Sequence, residues 1–176
     1  MANREALREL QSRLASRLQA ARSEGVQASW LAVESAGARY LFPLAQSGEI
    51  FPFASAQAVP YTRPWFLGVA NLRGGLYGVV DLAGFVKDGT PAMRSDATHA
   101  ESRLVALNAM LEVNCALLID RLAGLRNLDA FASSSEPPPG SPAYFGSGYT
   151  DANGAYWQEI NLQALSQQPQ FLSISA

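Results

Sequence analysis

The chain has 176 residues, 48% hydrophobic and 16% charged, which fits one ordinary domain or two small ones sharing a core and excludes a disordered chain. A net charge of -2 supplies no overall field for a polyanion, so nucleic acid is disfavoured as a partner. The single cysteine, Cys115, cannot close an internal disulfide, and the charged opening MANREALREL lacks the apolar centre of a signal peptide. No apolar run approaches the ~18–20 residues needed to span a bilayer, so the expectation is a cytoplasmic protein without direct membrane insertion.

In chain order, Asn3 to Glu24 reads as a helix, with Leu7, Leu10, Leu14 and Leu18 at spacings of three and four and arginines around them. Gly25 stops the pattern, making residues 1–25 a helical extension that packs on its own domain or docks on a partner. From Ala28 the period changes to two. ASWLAVESAGARYLFPLA predicts two strands turning at Ser35 to Gly37, and GEIFPF predicts a third extended piece ended by Pro52. Pro60 and Pro64 predict a loop leading into a turn at Trp65 and Phe66. GVANLRG and LYGVVDLAGFV then form a strand pair around Gly74 and Gly75, and Lys87 to Ser102 reads as a polar loop.

RLVALNAMLEVNCALLID gives two more strands turning near Asn108 to Glu112, followed by LAGLRNL as an extended run. Ser133 to Ala143, with four prolines, predicts an exposed loop outside any ladder. GSGYTDANGAYWQEI reads as a hairpin with ANG at its tip, NLQALSQ as a short helix and FLSIS as a last strand. Short strands at this spacing, with helices mainly at the ends, argue for small barrels.

The chemistry-bearing inventory is thin. One His and one Cys cannot supply a structural zinc site, and no nucleophile-elbow motif accompanies His99. GSGYTD and NLRGG contain glycine but lack the Lys-Ser/Thr or the long helix of a phosphate loop. No cofactor is implied. Asp81 and Asp120 each close an apolar strand, where carboxylates either cap the next element or do acid–base work. Two functions of other classes therefore stand beside a binding protein: a small-barrel nucleic-acid binder, and a hydrolase using Asp81 and Asp120.

GEIFPF…VPYTRPWFLGVANLRGGLYGVVDL resembles the CheW-like adaptor family at Glu49, Ile50, Pro60, Phe66, Gly68, Val69, Asn71, Leu72, Arg73, Gly74, Asp81 and Leu82. CALLIDRLAGL and FGSGYTDANGAYWQEINLQAL are similar to that family's later strands, so the resemblance spans Ala28 to Gln167. It departs where Gly78 replaces a family proline, in the Pro-rich loop, and in the added N-terminal helix, which looks more like the PilI type of the pilus-linked (twitching motility) systems. The resemblance implies a mainly β fold over residues 26–176: two interlocked five-stranded SH3-like β-barrels, with a short C-terminal helix. It also implies a non-enzymatic scaffold, recruited to membrane receptor arrays, whose partners are the cytoplasmic tips of methyl-accepting chemoreceptors and the regulatory domain of a CheA-type histidine kinase.

Within the matched motif, Arg73 is either a solvated strand end or a presented contact paired with Glu49. Gly74 and Gly75 fit a turn needing positive φ, and Trp65, in a Pro-bounded loop, fits a binding hot spot. The expected partner-binding residues are Glu49, Ile50, Trp65, Asn71, Arg73, Gly74 and Gly75.

Overall fold

The computed structural model describes residues 2–23, 30–87, 89, 91 and 93–175. Helix α1 (Ala2–Ser23) follows the leucine spacing. Leu7, Leu10 and Leu14 are all more than half exposed, so none of the described residues covers this stripe. The expected stop at Gly25, the first-strand start at Ala28 and the side chain of Leu18 lie outside the described residues.

Eleven strands follow among the described residues: β1 (Trp30–Ser35), β2 (Ala38–Pro43), β3 (Ser47–Pro52), β4 (Phe66–Leu72), β5 (Gly75–Asp81), β6 (Arg103–Leu107), β7 (Cys115–Ile119), β8 (Arg121–Arg126), β9 (Phe131–Ser135), β10 (Phe145–Asp151) and β11 (Tyr156–Ile160). They form a six-stranded sheet in the order β8-β1-β2-β11-β10-β9 and a five-stranded sheet in the order β3-β6-β7-β5-β4. The first sheet uses both ends of the strand sequence and the second its middle, which is how the two halves interlock. Two five-stranded units were expected; the first sheet gains a sixth strand in β9.

Period-two side-chain direction explains why several strands are apolar throughout. In β1, Leu31 and Val33 enter a large core shared by the two sheets, while Trp30 and Ala32 enter a small cluster with Leu41 and Trp157. In β6 and β7, Val105, Leu107, Cys115, Leu117 and Ile119 join the shared core, and Leu104, Ala106, Ala116 and Leu118 line a third cluster with Phe51 and Val79. Each sheet therefore has an interior of its own, and the shared core fastens one to the other.

Both tight hairpins have positive φ at their two central residues, as the right-handed strand twist demands of a two-residue turn. These are Ala36 (49°) and Gly37 (78°) between β1 and β2, and Arg73 (50°) and Gly74 (77°) between β4 and β5.

Three expectations are corrected. Lys87 to Ser102 is not all loop, because it contains helix α3 (Asp96–Glu101), capped where Ser95 Oγ accepts from the Thr98 amide. Ser133 to Ser135 do form a ladder, in β9 against β10; the prolines begin only at Pro137, so the serines keep their amide donors. FLSIS is no strand. Pro169 opens helix α5 (Pro169–Leu172), since its fixed φ suits a first helical residue, and only a bridge between Thr62 and Ser175 remains extended. Helices α2 (Leu82–Val86) and α4 (Leu162–Ser166) complete the fold, burying Leu82, Phe85, Leu162 and Leu165 in the shared core.

Candidate partner-binding site

Strands β3 and β4 are the two edges of the five-stranded sheet, and unpaired edges invite promiscuous pairing. The sheet curls until these edges meet. Just beyond β3, Gln57 exchanges both backbone bonds with Val69 of β4, N to O at 2.8 Å and O to N at 2.9 Å. Gly68 permits this approach, with φ of +131° and a position at which a Cβ would lie 2.0 Å from the Gln57 carbonyl oxygen. Further along the same seam, Arg73 Nη1 at the hairpin tip meets Glu49 Oε1 of β3 at 2.8 Å. The Asn71 side chain accepts a hydrogen bond from the Gly74 amide at 3.1 Å, fixing the turn that presents Arg73. With side chains 77% and 43% exposed, the Arg73–Glu49 pair adds at most about 1 kcal/mol of stability; its larger effect is to orient two charged heads on the surface.

The structure thus brings Glu49, Asn71, Arg73 and Gly74 into one exposed seam, with Ile50 beside Glu49 on the β3 edge. Gly75 stands apart from the expected reason for its choice. Its φ is not positive; it pairs with Leu72, and a Cβ there would press the Tyr77 ring at 3.0 Å. Trp65 is a correction. It is 3% exposed, with its ring 4.9 Å from Phe85 and stacked 6.4 Å from Phe171, so it is a core residue and not a surface anchor. The Pro-bounded loop suggested exposure, but α5 folds back and covers it.

The residue that sequence reasoning missed is Arg94, whose side chain is 7% exposed. Its Nη2 donates to Asp81 Oδ1 at 2.7 Å and its Nε to Asp120 Oδ1 at 2.5 Å. Asp120 Oδ2 also accepts from the Ala36 amide in the β1–β2 turn at 2.8 Å. Burial opposes the guanidinium charge, yet the bonds to both carboxylates outweigh it and hold its pKa above the ordinary value. Asp81 and Asp120 are therefore committed to a cation, which removes the acid–base pair on which the hydrolase reading depended. A polar stretch holding one arginine, lying between two strand-end aspartates that need a counter-charge, was the available signal. Cys115 is buried, and burial pushes its thiol up to about 12, away from any nucleophilic role. Among the described residues, no group of three His, Cys, Asp or Glu side chains is placed to hold a metal ion.

Residues 29–170 match the family model of the CheW-like domain. The chain belongs to the CheW-like family. Its CheW-like domain takes in every strand and the closing seam, while α1 precedes it. The chain is also similar to protein PilI of Pseudomonas aeruginosa, 28% identical over 121 residues that make up 68% of this chain and 64% of that protein. Among solved structures it is similar to the scaffolding protein TtCheW from Thermoanaerobacter tengcongensis, with a TM-score of 0.66 and 18% identity over 82% of this chain and 96% of that one. At that identity the likeness speaks for the CheW fold, which the two-sheet topology shares.

Proposed function

We propose that this chain is a non-enzymatic adaptor coupling the cytoplasmic tips of methyl-accepting chemoreceptors to the regulatory domain of a CheA-type histidine kinase. The observation that carries this reading is the CheW-like match over residues 29–170. Similarity to PilI favours a system linked to type IV pili and twitching motility over a flagellar one. A protein that grips two partners raises the local concentration of each for the other, and this needs surface complementarity and no bond chemistry. The seam of Glu49, Ile50, Asn71, Arg73, Gly74 and Gly75 is the contact surface, and Trp65, buried in the shared core, is no part of it. Among the described residues no helix is long and apolar enough to cross a membrane, so arrival at a receptor array would come through the receptors themselves.

The test uses Arg73→Glu together with the swapped pair Glu49→Arg/Arg73→Glu, measured for binding to a receptor-tip hairpin and to the kinase regulatory domain. Loss of binding in both variants, with the fold intact, supports direct contact by the seam. Binding unchanged in Arg73→Glu refutes it.

A further inference from the structure

Residues 93–102 are the later part of the connection from α2 to β6 and belong to neither sheet, and no residue of α3 is buried. Such a segment has little apolar area to hold it in place. Arg94 is its one deeply inserted charged side chain among the described residues, and its bonds to Asp81 and Asp120 reach different parts of the fold. Asp81 ends β5 of the five-stranded sheet. Asp120 sits where the chain passes from β7 of that sheet to β8 of the other, and its second oxygen and its amide bind Ala36 and Glu34 of the β1–β2 hairpin. A cleft of about 300 Å³ lies beside this junction, walled by Thr98 and Glu101 of α3 and by Glu34, Arg39 and Arg121 of the first sheet, with Asp120 lining it.

We propose that residues 93–102 form a strap latched across both sheets by Arg94, and that the latch sets the width of the cleft beneath α3. Arg94, Asp81 and Asp120 form a largely buried ionic group, their side chains 7%, 0% and 18% exposed. Apolar side chains of similar volume serve stability as well as or better than such a group, so the latch is a device of geometry more than of stability. Because α3 and Asp120 line the same cleft, a group that fills it contacts both the strap and the latch, so occupancy and latching are linked.

The test is amide hydrogen exchange read by peptide mass spectrometry on the full chain, comparing the unaltered protein with Arg94→Met and with Arg94→Lys, which keeps the charge but loses the planar fork. No partner is needed, so the result is independent of whether the adaptor reading holds. In Arg94→Met, peptides covering 95–102 and the Ala36 turn should exchange roughly tenfold faster or more, with β7 unchanged and Arg94→Lys intermediate. Unchanged exchange in the strap would overturn the proposal. So would equal acceleration everywhere, β7 included, because the pairs would then support the whole fold and not a strap.

Discussion

Replacing Gly68 with alanine perturbs the seam at its tightest point. The new Cβ would stand 2.0 Å from the Gln57 oxygen, 2.5 Å from its carbonyl carbon and 2.9 Å from the Ala58 nitrogen, all backbone atoms that cannot rotate away. Relief requires the Gln57 segment to leave Val69, breaking the two bonds of 2.8 and 2.9 Å. Those bonds contribute about 1 kcal/mol each. The φ of +131° adds about 1 kcal/mol of backbone strain for any residue with a side chain. The total is about 3 kcal/mol, which for a chain of this size lowers Tm by about 6–12 °C. Gly74→Ala is the control: its φ of +77° carries the strain, but nothing lies within 4 Å of the added Cβ, so the cost is about 1 kcal/mol. Urea unfolding of both variants measures the difference. If Gly68→Ala is no more destabilising than Gly74→Ala, the edges are not held together at Gln57 and the closure argument fails.

Other expectations follow from individual polar groups. Ser35 is fully buried, and its hydroxyl has no hydrogen-bond partner among the described residues, so Ser35→Ala should be neutral or stabilising by up to about 1 kcal/mol in the same unfolding experiment. The Cys115 thiol, raised to about 12 by burial, should resist a thiol reagent at pH 8 while the chain is folded and react fully in denaturant. Asp151 is held below the ordinary carboxylate range by the Trp157 indole and the Ala155 and Asn153 amides. Its lowered folded-state pKa makes its contribution to stability complete above the unfolded pKa and lost as pH falls through the folded one. Asp151→Asn should therefore flatten the acid side of the stability profile, and an unchanged profile would remove Asp151 from the explanation.

What the sequence revealed, and what it hid, divides along simple physical lines. Strands buried on both faces announced themselves: Val79 and Val80, or Leu117 and Leu118, alternate between two apolar interiors and leave a continuous hydrophobic run. The turns were legible at Gly37 and Gly74 because few residues accept their φ. The Arg73–Glu49 pair was reachable because the resemblance placed both residues in one motif. Strand β9 was hidden because its serines are exposed on an edge and carry no alternation. Helix α3 was hidden because a short helix with no buried face has no apolar period. Trp65 was misjudged because Phe171, far along the chain, supplies its cover. Arg94 had the same difficulty in another form, since its partners belong to two separate strand ends that only the fold brings together.

The most direct measurement is equilibrium sedimentation of the purified chain mixed with a receptor-tip hairpin and the regulatory domain of a CheA-type kinase, singly and together. An adaptor should bind each partner and carry both in one ternary complex, with Arg73→Glu abolishing at least one of the two attachments. A chain that stays alone in every mixture, or that can hold the two partners only by exchanging one for the other, would contradict the coupling role.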